Sequence, residues 1–368
     1  MNKDIYSRIV VKIGSNVLTR PDGTLDITRM SAIVDQIAEL HHKGTEVIMI
    51  TSGAVASGRN ELKHLIDKKI DEVSARQLFS AVGQAKLINR YYELFRDHGI
   101  VCGQILTTKE NFATRRLYLN QKHCTEVMLK NGVIPIVNEN DTVSITELMF
   151  TDNDELSGLI ASMVGAEALI ILSNIDGVFD GDPASPESHV ILDIYQDALP
   201  DADSFIQTKK SSLGRGGMGS KFRIAHKVAE EGINVIIVNG KRENILLETL
   251  SGKRQVPYTI FHANTEPVPG VKKWIAHSEG FAKGKIKVNK GAYEVLNSSH
   301  AASILPVGVT EIEGDFEKDD IVQVISPEGD EFAVGRIGVD SEKARSMIGK
   351  KGERPLIHYD FLYIFKGQ

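Results

Sequence analysis

The side chains best suited to chemistry stand in short segments at the ends of apolar runs. Lys12 interrupts the first such run, in Lys12-Ile13-Gly14-Ser15. A buried ammonium group is costly unless an anion accompanies it, so Lys12 calls for an anionic partner, either a protein carboxylate or a ligand. Thr51-Ser52-Gly53-Ala54-Val55-Ala56-Ser57-Gly58 follows the second run. Its small residues would let backbone amides approach an anion, although a tight strand-to-helix turn needing glycine would look the same. Ser211-Ser212-Leu213-Gly214-Arg215-Gly216-Gly217-Met218-Gly219-Ser220-Lys221 is glycine-rich and runs into a helical pattern. Its amides, the helix N-terminus and Lys221 suit phosphate oxygens, whereas a flexible linker is the plain alternative. Ser220, between the last glycine and the lysine, breaks the Walker spacing.

Carboxylates and amides crowd into Val137-Asn138-Glu139-Asn140-Asp141-Thr142-Val143 and Thr151-Asp152-Asn153-Asp154. Asn and Asp favour turns and helix N-caps. Together they could also bind a substrate ammonium, orient lysines or reach a metal through water. The eleven histidines show no ligand spacing, so no dedicated zinc site is expected. Arg115-Arg116, with Lys122 nearby, reads as helix surface or interface.

The elements that must position these residues alternate regularly. Apolar runs at Arg8 to Ile13, Glu46 to Ile50, Ile100 to Leu106, Val133 to Val137, Ala168 to Leu172 and Ile233 to Val238 fit parallel strands buried on both faces. Helical patterns lie between them at Thr28 to Lys43, Ser74 to His98, Ala113 to Asn131, Asn153 to Val164 and Ser220 to Glu231. Gly44, Gly99, Gly132 and Gly232 each separate a helix from the next strand. The fold class is therefore α/β, with an open, mostly parallel sheet covered by helices on both faces. Both the Lys12 and Ser52 loops should open into one crevice beyond the strands' carboxyl ends.

That rhythm stops after Leu250. Residues 1–250 are read as the first domain and 251–275 as a connection. Residues 276–368 are read as a small β-rich, barrel-like domain, with alternating segments at Lys283 to Val288, Ile321 to Ile325 and Glu331 to Ile337. Hydrophobic residues make up 42% of the 368 and charged residues 25%, which excludes a disordered chain. A net charge of −6 offers no general attraction to nucleic acid or anionic membrane, so an anionic substrate must be met by local cations. Cys102 and Cys124 read as reduced thiols of an intracellular protein, and the N-terminal apolar run is too short for a signal or membrane segment. A cytoplasmic location is expected.

The ordered segments VKIGSNVL, TSGAVASG, VNENDTV, TDNDELSGLIA, NIDGVFDGDP and GRGGMGSK resemble the amino acid kinase family, and within it the members that phosphorylate the side-chain carboxylate of glutamate. The segments around Leu305 to Val309, Glu313 to Phe316 and Gly335 onward resemble the PUA domain fused to many of them. The resemblance implies that ATP and L-glutamate give ADP and L-glutamyl 5-phosphate with Mg2+ required, the first step of proline biosynthesis, usually inhibited by proline. It assigns catalysis to Lys12, Asp154 and Lys221, with Asp154 organising the two lysines. Glutamate would bind at Ser52, Gly53, Asp141 and Asn153. ATP and its phosphates would meet Lys12, Gly14, Ser15, Ser173, Asn174 and the run Arg215, Gly216, Gly217, Met218, Gly219, Ser220 and Lys221. No residue is assigned to a metal. The family has Asp where this chain has Asn174.

A homo-oligomer (dimer or tetramer) and a metabolic link to glutamyl phosphate reductase are further implications. The amides of Gly14 and Gly53 are expected to join the lysines around the transferring phosphoryl group. Other acceptors the fold supports are N-acetylglutamate, aspartate, carbamate and nucleoside monophosphates. PUA domains elsewhere bind RNA. Residues 276–368, however, carry 12 Lys and Arg against 15 Asp and Glu, a net charge of −3 and the wrong sign for strong phosphate binding. A regulatory or assembly role is expected there. A catalytically dead amino-acid sensor is disfavoured by the retained lysines and Asp154.

Overall fold

Strands covered on both faces need apolar side chains at successive positions, and the Val- and Ile-rich runs supply them. A computed structural model of the chain describes residues 6–65, 70–143, 150, 152–196, 217–265, 275, 281–298 and 302–365. The chain divides into two compact units, Met1–Lys109 with Lys122–Pro267, and Glu110–Gln121 with Val268–Gln368.

The first unit is built on β1 (Arg8–Ile13), β2 (Glu46–Ile50), β3 (Cys102–Thr107), β4 (Ile134–Glu139), β5 (Ala168–Ser173), β6 (Asp193–Ile194), β7 (Asn234–Asn239) and β8 (Thr259–Phe261). They form one sheet in the order β3-β4-β2-β1-β5-β7-β8-β6, parallel except for the β7–β8 pair. From β1 the chain places β2 on one side and β5 on the other. The strand order reverses there, which opens a crevice beyond the carboxyl ends of β1, β2, β4 and β5.

Alternation along β1 sends Ile9, Val11 and Ile13 into one apolar cluster with Ile33 and Ile37 of α2 (Ile27–His42) and Leu87 and Phe95 of α4 (Glu72–Asp97). Val10 and Lys12 face the other way, toward α7 (Asn153–Val164). Side-chain caps start these helices: Asp26 accepts from the Arg29 amide, Asp71 from Ser74, and Asp152 from Asp154 and Glu155. Gly44, Gly99, Gly132 and Gly232 all have positive φ, as helix-ending residues before strands require. The remaining helices of this unit are α1 (Ser15–Leu18), α3 (Ala54–Leu62), α8 (Met218–Glu230) and α9 (Ile245–Leu250), while α5 (Glu110–Ala113) falls in the segment grouped with the second unit and α6 (Arg115–Lys130) runs from that segment back into the first.

Three details differ from the sequence-based expectation. The run from Ile100 becomes β3 at the sheet edge, half exposed because a strand covers it on one side only. Its Cys102 is half-buried and Cys124 is exposed, both as free thiols. Ala54 to Gly58, read as part of a loop, belongs to α3, so only Thr51 to Gly53 connect β2 to it. Within residues 251–275, Thr259–Phe261 adds an antiparallel strand to the sheet. Three residues are too few for a strand period to show in sequence.

The second unit holds β9 (Gly284–Val288), β10 (Val309–Gly314), β11 (Ile321–Ile325), β12 (Glu331–Arg336) and β13 (Leu362–Ile364) in the order β10-β9-β11-β12-β13. Ile286, Val322, Val324, Leu356 and Ile357 anchor a core of its own. It also holds the helices α10 (Lys290–Leu296) and α11 (Ser341–Met347).

Glycine sets how closely α3 and α4 approach. A Cβ at Gly83 would lie 1.8 Å from the Ala54 carbonyl oxygen, and one at Gly58 would lie 1.8 Å from that of Phe79. Both obstacles are backbone atoms that cannot swing aside. Gly83→Ala should therefore push the helices apart and lower stability by about 1–3 kcal/mol, as overpacked sites do. Urea unfolding checks this, and an unchanged midpoint would remove the close-approach account.

Candidate active site

Lys12 lies in β1 between Ile50 of β2 and Ile171 of β5, surrounded by fully buried aliphatic neighbours. Its ammonium finds a carboxylate directly above it. Lys12 Nζ is 2.6 Å from Asp154 Oδ1, and Lys221 Nζ donates to Asp154 Oδ2 at 2.9 Å. Asp154 is 0% exposed, with Lys12 at 5% and Lys221 at 9%. Burial opposes ionisation of Asp154, but Lys12 and Lys221 outweigh it and hold the carboxyl below its ordinary range. Three elements thus converge on one carboxylate: β1, the first turn of α7 and the first turn of α8.

The start of α7 is fixed independently of the lysines. Asp152 accepts from two backbone amides of the helix and from the Ser220 hydroxyl of α8. Asn153 Nδ2 lies 2.7 Å from the Thr51 carbonyl oxygen and 3.0 Å from both Ser52 Oγ and Asn138 Oδ1. Asn138 in turn donates to Gln84 Oε1 at 2.8 Å, and the Thr51 and Tyr91 hydroxyls share a hydrogen bond. The loops after β2 and β4 are therefore tied to α7 and α4 by one polar network.

A cavity of about 740 Å3 opens among these loops. Lys12, Gly14, Ser15, Ser52 and Gly53 line it, as do Asp141, Asn153 and Asp154. Ser173, Asn174, Gly217, Met218 and Lys221 complete the expected residues that reach it. Gly219 and Ser220 stand in the first turn of α8, and Ser220 acts there through Asp152. Arg215 and Gly216 lie outside the described residues. The Gly14 amide, expected to face a phosphoryl group, donates instead to the Leu172 carbonyl at 3.1 Å. What Gly14 supplies is room, because an added Cβ would come 3.2 Å from that oxygen and 3.8 Å from Lys12 Nζ. Gly53 has φ +99°, a conformation that favours glycine.

Sequence reasoning missed a second wall. Arg76, from the early turns of α4, donates through Nε to Asp141 Oδ1 at 2.9 Å and lies 3.3 Å from Glu139 Oε2. Glu139 Oε1 accepts from the Phe150 amide at 3.0 Å. Arg59, Glu72 and Phe79 line the same side, and Asp182 and Pro183 line another. A half-buried arginine on an amphipathic helix carries almost no signal in sequence; only the polar run after β4 hints that a cation must face it. Chemically, the cavity offers a paired ammonium site at one place and a guanidinium–dicarboxylate cluster at another. The first suits anionic oxygens, the second a charged head group.

Comparison with known proteins identifies the family. Residues 7–239 match the amino acid kinase family and residues 284–358 the PUA domain. A glutamate 5-kinase of Bacteroides thetaiotaomicron is 63% identical over 362 residues, covering 98% of this chain and 99% of its own length. One from Chlorobaculum tepidum is 45% identical over 361 residues, covering 98% of each, and one from Caldanaerobacter subterraneus is 35% identical over 370 residues, with the same coverage. The family match takes in every described wall of the cavity, and these relatives align along nearly the whole chain. The chain belongs to the amino acid kinase family, among its glutamate 5-kinases, and carries a PUA domain behind the kinase fold.

Proposed function

We propose that the protein transfers the γ-phosphoryl group of ATP to the side-chain carboxylate of L-glutamate. A carboxylate oxygen attacks the γ-phosphorus, the bond to the bridging oxygen breaks, and ADP and L-glutamyl 5-phosphate result. The single observation that carries this is the buried Asp154 with a lysine on each oxygen in the wall of the cavity.

Glutamate's side chain has a reference pKa near 4.3 and is already ionised at neutral pH, so no general base is required. The difficulty is bringing one anion to another. Alignment and positive charge around the moving phosphoryl group then account for most of the catalysis. Lys12 and Lys221 share one negative charge on Asp154, so the triplet itself carries a net charge of +1. Asp154 fixes both ammonium groups without titrating.

Glutamate is placed at Ser52, Gly53, Asp141 and Asn153. The nucleotide is placed along Gly14, Ser15, Ser173, Asn174 and the stretch from Arg215 to Lys221. Among the described residues no group of three His, Cys, Asp or Glu side chains is arranged to hold a divalent cation. Mg2+ fits as an ion carried by the nucleotide's phosphates and water, where it adds positive charge. Glutamyl phosphate as product supports a role in the first step of proline biosynthesis, with proline as feedback inhibitor. A cytoplasmic homo-oligomer, metabolically coupled to glutamyl phosphate reductase, belongs to the same reading. Among the described residues no helix is long and apolar enough to cross a membrane.

ADP release measured with L-glutamate, N-acetylglutamate and L-aspartate as separate acceptors tests the assignment. Release is expected with L-glutamate, and release with only one of the other two overturns it. Lys221→Ala should lower kcat by about 10²–10³-fold, the usual loss of one group acting on transition-state charge. The KM for glutamate should change little, and a rise in KM alone would contradict this role.

Asp154→Asn leaves two ammonium groups buried without their counter-charge and should cost about 3–5 kcal/mol of stability. The folded-state pKa of Asp154 lies below its unfolded value, so its contribution is present above the unfolded value and fades as pH falls through the folded one. Chemical denaturation should show a constant gap between parent and variant from pH 5 to 8, narrowing only in stronger acid. A gap that closes by pH 6 would mean Asp154 is not held ionised by its lysines.

A further inference from the structure

We propose that Arg76 is the residue that reads the α-carboxylate of the substrate and so selects a free amino-acid head group; this rests on the glutamate kinase reading. The head of an amino acid carries an ammonium and a carboxylate on one carbon. A site that accepts it must present both signs of charge side by side. Two carboxylates alone would hold the ammonium and repel its neighbour.

The cluster at the end of β4 has the required composition. Glu139 is 4% exposed and Asp141 is 7% exposed, and Arg76 binds both from α4. All three line the cavity that contains Lys12 and Asn153. Within it one guanidinium faces two carboxylates. Asp141 receives the α-ammonium, while the planar guanidinium of Arg76, matched to carboxylate geometry, receives the α-carboxylate. An N-acylated head group keeps the carboxylate that Arg76 reads but has lost the cation, so Asp141 is left without an ionic partner from the ligand. Selectivity then comes from an unpaired charge in the wrong complex as much as from contacts in the right one.

Arg76 could instead serve only to brace Asp141. The two roles separate when the ligand's α-carboxylate is removed. 4-Aminobutyrate keeps the ammonium and the reacting carboxylate of glutamate and lacks only that group. The experiment measures the KM for L-glutamate and the competitive inhibition constant of 4-aminobutyrate for the parent, Arg76→Gln and Arg76→Lys.

Arg76→Gln should raise the glutamate KM by about 10–100-fold, the loss of a charge-assisted contact, with the effect in KM rather than kcat. The inhibition constant of 4-aminobutyrate should stay within about three-fold, because that ligand never uses the contact. Arg76→Lys, which keeps the charge but not the planar fork, should recover only part of the loss for glutamate. Equal weakening of both ligands overturns the proposal in favour of bracing, and a lysine variant equal to the parent overturns the contact between the planar fork and the α-carboxylate. The parent's own glutamate-dependent ADP release is measured in the same assay; its absence would overturn the glutamate reading itself, independently of the ratio between ligands.

Discussion

A carboxylate with no exposure to solvent cannot stay ionised without compensation, and Asp154 obtains that compensation from two lysines that have no other reason to be buried. The requirement runs in both directions. Lys12 can occupy a strand of fully buried aliphatic residues only because Asp154 stands over it. Lys221 can point inward from α8 only because the same carboxylate has a second oxygen. Asp154 must therefore be held at one position and one orientation, and the start of α7 is built to do that. Asp152 ties the first amides of α7 and the Ser220 hydroxyl of α8 to one carboxylate, so the two helix starts that carry Asp154 and Lys221 are locked together.

Around this ion triplet the charge of the cavity is unevenly divided. In the triplet two ammonium groups face one carboxylate, while at the end of β4 one guanidinium faces two carboxylates. A zwitterionic substrate with an anionic tail would lie along that gradient, its ammonium toward Asp141 and its tail toward the lysines. The polar network through Asn153, Ser52, Asn138 and Gln84 fixes the spacing of the two ends, because it joins the loop after β2, the end of β4, α7 and α4. The close packing at Gly58 and Gly83 keeps α4, and with it Arg76, at one distance from that loop. Orientation of the substrate is therefore a property of the scaffold as well as of the groups that would touch it.

What the sequence revealed followed the size of the physical penalty involved. A lysine inside an apolar strand demands an anion, so Lys12 announced a partner; no spacing rule named Asp154, and only resemblance to a family did. The parallel sheet was legible because each buried strand repeats the same apolar signature and Gly44, Gly99, Gly132 and Gly232, all of positive φ, mark the passage from helix to strand. Arg76 was not legible, because it is one charged residue on a helix of mixed polar and apolar residues and its partners Glu139 and Asp141 meet it only in three dimensions. Gly58 was misplaced for a related reason: a glycine required by a neighbouring helix looks in sequence like a glycine required by a loop. The three residues of β8 are held by pairing with β7, and pairing leaves no trace in so short a segment.

The residues lining the cavity include Lys, Arg, Asp and Glu side chains, and no histidine or cysteine among those described. Reactions that need a base or acid near neutrality draw on groups that titrate there, and such groups must be only partly stabilised in either state. This cavity does the opposite. It pairs its charges so firmly that Asp154 is pushed away from the neutral range rather than toward it. Fixed charge is the useful property when the nucleophile arrives already ionised and the work consists of holding it against a second anion. The same stability of charge that lets Asp154 be buried is what would let Lys12 and Lys221 present an unchanging positive field to the phosphoryl group.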